Sequence, residues 1–593
     1  MLRSTTRLTA AAFTPRFLSS TQNHVALSRA SISFARYLSE RSNGELESQR
    51  RISRVQVVRR PTQSCRFYST ERGQMATAET LSFLKTNVRI EDGLSADYDC
   101  VVIVGTSLCP KSLGKAEIYA AALGAIEKTD ESFEKTLTFI HVDGARVVYS
   151  PTGPLNRDQD DIRVFSDAAI KGVKRALSAG AKKPLVVLPK TIEPFTDFNV
   201  DAAVVLGALE AIYVPLEIRE DVPEKKRKVE RLGFLNFGGD AKRFQYLLSL
   251  ESGRLACRDI GGSDPERMAA PKVEEYVKEL FADSPVTVRV ISDREQLEAN
   301  YPCLAAVDRC ARHVDRHGAR MIFLEYSEGT PEQCLAFVGK GVTYDTGGAD
   351  IKVGGIMAGM HRDKCGAAAV AGIFQTLALT KPRNIKVIGA MCMVRNSVGS
   401  DAYVADEIIT SRAGLRLRVV NTDAEGRLAM ADALAEMKER VIADGLEGKA
   451  HLFTIATLTG HARSAVGPPF SISLDNGPAC RQEASRKLRA AGDEIGDLLE
   501  ISTVRREDYD AANSTSEYED LLQFVRKKGA PRGHQLAAAF LIRVSGLDKH
   551  GKDSSKPLAY THLDIAAATG EFPGTPTGSP IAALVQRFIY PRI

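Results

Sequence analysis

Short apolar runs of strand length recur along the chain, separated by stretches in which apolar residues return at helical spacing. In the first part of the chain, residues 100–104 (CVVIV), 137–141 and 185–188 are such runs, and 115–126 and 167–179 carry the helical period between them. Strands alternating with helices predict a sheet with helices on its faces. The stretch 264–280 is polar with a helical period and reads as a connector. The expected organisation is a first α/β domain over 76–260, a helical connector over 261–285 and a second, larger α/β domain over 286–593.

The second region has the stronger strands. Residues 334–338, 385–392 and 452–457 are nearly continuous apolar runs, the signature of strands buried on both faces. Between them, 365–379 is alanine-rich with the spacing of a helix packed on a sheet. Polar and glycine-rich pieces follow the strand ends, where open α/β sheets bind their ligands.

Composition adds a leader and removes function classes. Residues 1–70 hold twelve Arg, no Lys, no Asp and only Glu40, Glu45 and Glu47, with many Ser and Thr, which reads as a transit peptide for mitochondria, with a plastid or the cytoplasm as the alternatives. That segment has a net charge of +9 against a total of +5, so the remainder is mildly acidic and offers no domain-scale basic face for nucleic acid. Lys225, Lys226, Arg227 and Lys228 form one basic run, which alternates into Glu230 and reads as a solvated face. No apolar run approaches bilayer length, so no membrane contact is expected. Ten cysteines without a CxxC pair suit free thiols in a reducing compartment.

Two stretches concentrate chemistry. VGKGVTYDTGGADIK (338–352) runs from a strand into a glycine-rich loop with two lysines and two aspartates; it fits neither GxxxxGKS/T nor GxGxxG. VVNTDAEGRL (419–428) precedes an alanine-rich helix, and Asp423 and Glu425, two residues apart, would share one side of an extended or loop segment. Clustered carboxylates suit divalent cations, and a pair of such ions can clamp attacking and leaving oxygens in a hydrolysis. Singly, Asp345 and Asp423 could equally cap the turns they stand in.

These two stretches, with MHRDKCGAAAV (360–370), ATLTGHA (456–462), GHQLAAAFL (533–541) and HLDIAAATG (562–570), resemble the leucine aminopeptidase (cytosol aminopeptidase) family in order and spacing. The resemblance implies a smaller, macro-like N-terminal α/β domain followed by a larger α/β/α catalytic domain with a mixed central sheet, assembled as a homohexamer. It implies two divalent metal ions per subunit, zinc or manganese: one held by Lys340, Asp345, Asp363 and Glu425, the other by Asp345, Asp423 and Glu425. It assigns Lys352 to stabilising the tetrahedral oxyanion and Arg427 to holding a bicarbonate ion as general base, and it places Met360, Thr457, Leu458 and Gly460 around the first side chain of a peptide substrate. The apolar Met360 and Leu458 suit a leucine-like first residue. His361, His461 and His562, which adjoin the motifs, read as structural. The chain departs from the family at Arg395, where Glu is usual, and at Val404-Ala405-Asp406, where Arg-Pro-Gly is usual. Two other readings stay open at this point: a catalytically silent structural or regulatory relative, and a DNA-binding module.

Overall fold

A strand with two apolar faces must be roofed on both sides, and that requirement organises the protein. In the computed structural model, residues 86–190, 199–525 and 530–593 are described. The leader expected over 1–70 lies outside them.

The first sheet contains β1 (Asn87–Glu91), β2 (Cys100–Gly105), β3 (Thr138–Val142), β4 (Ala145–Pro151), β5 (Pro184–Val187) and β6 (Arg231–Leu235) in the order β1-β6-β5-β2-β4-β3. All its pairings are parallel except the β3–β4 hairpin, which turns at Asp143 and Gly144 with φ of 48° and 78°. Positive φ at both central residues suits the right-handed twist of the strands they join. The helices Arg163–Ser178 and Val200–Ala211 pack on this sheet.

The second sheet has eight strands. They are β7 (Thr287–Ile291), β8 (Arg320–Glu328), β9 (Gln333–Asp345), β10 (Ile385–Asn396), β13 (Ala450–Ala456), β14 (Ser471–Asp475), β15 (Leu499–Thr503) and β17 (Ala559–Asp564), ordered β15-β14-β17-β13-β9-β10-β8-β7. The remaining strands, β11 (Ile408–Thr410), β12 (Arg416–Arg418) and β16 (Leu521–Leu522), form a small third sheet. The run β17-β13-β9-β10 is parallel and the flanking pairs β10–β8, β8–β7 and β14–β17 are antiparallel, so the central sheet is mixed, as expected.

β9 lies at the centre. Its odd residues Leu335 and Phe337 enter one core with Ala367, Val370 and Phe374 of the helix Cys365–Thr380, and its even residues Cys334, Ala336 and Val338 enter another with Leu428, Ala431 and Leu434 of the helix Glu425–Ala443. Strand periodicity thus assigns each residue to one of two roofs.

The polar segment read as a connector contains the end of a long helix, Ala241–Gly262, and a second helix, Ala270–Phe281. The long helix crosses Cys365–Thr380 at Gly253 and Gly372, where a Cβ on Gly372 would stand 2.5 Å from the Gly253 carbonyl oxygen. Beside it, the buried Arg258 is paired with Glu251 at 2.5 Å and Glu210 at 2.9 Å and donates to the carbonyl of Pro576. Among the described residues no helix is long and apolar enough to cross a membrane.

Candidate metal centre

Glycines 339 and 341 suggest that the strand ends at Val338, but β9 continues to Asp345. A Cβ on Gly339 would meet the Ala367 Cα at 2.5 Å, and one on Gly341 would meet the Met393 Sδ at 2.5 Å. These glycines serve close backbone approach inside the sheet, which a sequence pattern cannot separate from loop glycine. Lys340 and Asp345 therefore sit on rigid strand backbone.

Lys340 is 3% exposed, and its Nζ lies 2.7 Å from Asp363 Oδ2 and 2.9 Å from Glu425 Oε1 while donating to the Thr457 carbonyl at 3.0 Å. Asp363 comes from the short turn Met360–Lys364 ahead of the helix Cys365–Thr380. Lys352 lies on the glycine loop, its Nζ 2.9 Å from Asp345 Oδ2 and in contact with Asp423 Oδ1. The structure therefore brings all five expected ligands and Lys352 into one cluster. Oxygens of Asp345, Asp363 and Glu425 lie within 4.8 Å of one another.

Asp423 and Glu425 do not lie on an extended segment. Asn421 accepts the Asp423 N–H at 2.7 Å, residues Thr422–Ala424 make a tight helical turn, and Glu425 opens the helix Glu425–Ala443. The capping amide converts the loop into a helix entry. As a result the two carboxylates go to different lysines.

Four carboxylates face two ammonium groups, and the imbalance is visible in their titration. Burial, reinforced by the charge of Asp345, pushes the Glu425 carboxyl up to about 8, and burial with Asp345 nearby raises Asp363 to about 6 against the pull of Lys340. Asp423 is also raised, by burial and by Asp345. Burial disfavours the charge of Lys340, but Asp363, Glu425 and Asp345 outweigh it and hold the ammonium above its ordinary range; Asp345, Glu425 and Asp423 do the same for Lys352. Glu425 Oε2 is buried with no hydrogen-bond partner, and Glu425 Oε1 and Asp363 Oδ2 meet Lys340 as ion pairs only. Buried, under-partnered carboxylates in excess of cations are what a site for divalent ions requires.

Arg427, on the first turn of the helix Glu425–Ala443, is buried over the rings of Phe524 (5.1 Å) and Phe540 (5.7 Å). Its Nη1 donates to the Gln523 carbonyl at 3.2 Å, while its Nε is buried without a partner. Burial lowers its pKa to about 10, with Glu425 opposing part of that effect.

The four residues expected around a substrate side chain flank the same cluster. Met360 and Leu458 are half-buried, and Leu458 packs against the core beneath the helix Glu425–Ala443. Thr457 donates its hydroxyl to Asp363 Oδ1 at 2.8 Å and its carbonyl accepts from Lys340, so its polar atoms are engaged within the cluster. Gly460 is exposed at the start of the helix Gly460–Val466, with open space where a Cβ would stand.

The histidines have partners outside the cluster. His361 packs edge-on against Phe572, His461 pairs with the Ala530 carbonyl, and His562 is fully buried with its Nδ1 on the Thr454 hydroxyl. Of the departures, Arg395 lies over the Tyr344 ring and 3.8 Å from Glu266, and Asp406 adopts a φ of 74°, the left-handed region where the usual glycine is at ease and Asp is tolerated. Sequence reasoning missed the polar residues that bind the site segments together. Gln523 is the clearest case: its side chain accepts the N–H groups of Val420 and Asn421 and donates to the carbonyls of Asn421 and Ala424. A lone Gln about a hundred residues from its partners has no sequence signature.

Comparison with known proteins agrees with this geometry. Residues 255–585 match the model of the cytosol aminopeptidase family, catalytic domain. A Caenorhabditis elegans protein named as an aminopeptidase is 41% identical over 529 residues, covering 86% of this chain and 99% of its own length. A cytosol aminopeptidase of Vibrio cholerae is 29% identical over 392 residues, 64% of this chain and 71% of that one. Among solved structures, a tomato leucine aminopeptidase variant superposes with a TM-score of 0.70 at 20% identity, covering 87% of this chain and 97% of that one. The bottromycin maturation enzyme BotP, solved in complex with Mn, gives 0.66 at 20% identity over 84% and 98%. The fold, the clustered site and these matches together place the chain in the cytosol aminopeptidase family of metal-dependent peptidases.

Proposed function

We propose that the protein is a leucyl-type aminopeptidase that removes the first residue of a peptide with the help of two divalent ions, zinc or manganese. Asp345, Asp363, Asp423 and Glu425 would hold them, with Lys340 as the neutral amine left once the incoming ions displace its proton. The observation that carries this reading is the meeting of four carboxylates, three of them buried, with only two ammonium groups, with Glu425 Oε2 left unpartnered. The manganese bound to BotP supports the choice of ion.

Two divalent ions in such a site would activate water at neutral pH and polarise the scissile carbonyl. A free α-amino group of the peptide, held at one of these ions, would restrict cleavage to the first bond. Lys352 keeps its proton among Asp345 and Asp423 and brings a fixed positive charge to the oxygen on which charge develops. Arg427 retains donor capacity at Nε, and a guanidinium fork suits a planar anion such as bicarbonate acting as general base. Met360 and Leu458 offer an apolar wall to a leucine-like side chain. By the same resemblance we propose a homohexamer, and from the leader, import into mitochondria.

Release of leucine from leucine amide tests the reading. Turnover should vanish on chelation and return with Mn²⁺ or Zn²⁺. No turnover by the metal-replete protein, or unchanged turnover in Asp423→Ala, would sink it.

A further inference from the structure

Asp345 has two differently employed oxygens. Oδ2 faces Lys352, whereas Oδ1 accepts two protein donors: the Gly347 N–H at 2.8 Å and the Asn396 side-chain amide at 2.8 Å. Asn396 ends β10, in register with Asp345 across the parallel pair, and is fully buried. Its Nδ2 also donates to the Thr422 carbonyl at 3.1 Å, which in turn accepts the Tyr403 hydroxyl at 2.8 Å. Both partners of Nδ2 are pure acceptors, so the amide can face them only with its nitrogen.

Thr422 continues the connection. Its hydroxyl donates to the Gly347 carbonyl at 2.7 Å and accepts the Asp350 N–H at 2.8 Å, while its own N–H donates to Asp350 Oδ2 at 2.8 Å. The close approach requires glycine: Gly348 has a φ of 65°, and a Cβ there would stand 2.9 Å from both Asn396 Oδ1 and Thr422 Oγ1. The strand end and loop that carry Asp345 and Lys352 are thereby fastened to the turn and helix start that carry Asp423 and Glu425, more than 70 residues away in the chain. The carboxylates of Asp345, Asp423 and Glu425 crowd together across this junction, and the fastening holds the two segments in place before any cation arrives.

We propose that Asn396, acting with Thr422, is a positioning residue that holds Asp345 and Lys352 in register with Asp423 and Glu425, so that the site is preformed for its cations. The inference rests on the metal-dependent reading above and goes beyond it by assigning the preorganisation to residues that hold no ion. Neutral partners that orient ligands typically set affinity by 10- to 100-fold.

The test uses the full chain, stripped of metal by chelation and dialysis, with Mn²⁺ binding followed by titration calorimetry and turnover followed on leucine amide. In Asn396→Asp, which keeps the shape but replaces the donor with a repelling acceptor, Mn²⁺ binding should weaken about 10- to 100-fold. At saturating Mn²⁺ its kcat should fall by a similar factor while KM stays within about threefold. Thr422→Val and Thr422→Ser form a second pair that does not depend on the first variant folding. Val, lacking the hydroxyl, should weaken Mn²⁺ binding about tenfold, and Ser should recover most of that loss. Wild-type Mn²⁺ affinity in folded Asn396→Asp, or equal affinities in the Val and Ser variants, would overturn the assignment. Failure of the wild type itself to bind Mn²⁺ would instead overturn the metal-dependent reading, and this inference with it.

Discussion

The two lysines of the site stand in different worlds. Lys340 is 3% exposed and its partners Asp363 and Glu425 show 8% and 1% of their side chains, whereas Lys352 shows 12% and its partner Asp423 33%. The inner half is built from strand and helix backbone, the outer half from a glycine loop and a turn. Charges in the inner half cannot fall back on water, so they depend on one another; those in the outer half can change partner during a reaction. The difference separates a group that holds the site together from one free to meet a substrate.

The strongest way to break that contrast is Lys340→Met. Leaving the buried Asp363 and Glu425 without their cation should cost about 3–5 kcal/mol of stability in the metal-free protein, read by urea denaturation, and abolish turnover. An unaltered urea midpoint would mean that the inner half is not interdependent. Lys352→Ala should do the reverse: kcat drops about 10²- to 10³-fold, while stability falls by only about 1–2 kcal/mol. A large stability loss with modest kinetic effect would exchange the two roles. Manganese added to the metal-free protein at about 100 times its dissociation constant should stabilise it by about 2.7 kcal/mol for each site filled, seen as a rise in melting temperature. The rise should persist in Lys352→Ala and shrink to that of a single site in Lys340→Met.

The smallest effect concerns the strands beneath the inner half. Burial, with minor help from nearby cations, holds His451 on β13 and His562 on β17 down at about 3. Both are neutral when folded and take up a proton when unfolded, so their contribution is complete above pH 6.5 and is lost as pH falls toward 3. At pH 5 each should cost about 2 kcal/mol, and His562→Gln should flatten the acid side of the stability profile by about that amount. An unchanged acid limb would remove His562 from the account.

The alternation of strands and helices was legible in both α/β regions of the described residues, because runs such as 100–104 and 385–392 fall within β2 and β10. So was the grouping of Lys340, Asp345, Lys352, Asp363, Asp423 and Glu425, carried by long motifs whose order survives in the sequence. Two local features were not. Gly339 and Gly341 look like loop residues until the Cys365–Thr380 helix and β10 are seen pressed against them. Asp423 and Glu425 look extended until Asn421 caps the turn between them. Asn396, Thr422 and Gln523 carry no signal, since their importance lies in hydrogen bonds to segments distant in the chain.

The crossing at Gly253 and Gly372 has a practical consequence for dissecting the protein. The helix that begins just after Asp363 is buried along nearly its whole length, and part of its covering is the helix Ala241–Gly262, which follows the last strand of the first sheet. A fragment beginning at β7 would expose Cys365, Ala368, Gln375 and Thr376, which meet that helix, and leave the Gly372 notch empty. Any attempt to graft this catalytic sheet onto another scaffold, or to trim the chain to a minimal peptidase, has to carry the Ala241–Gly262 helix with it.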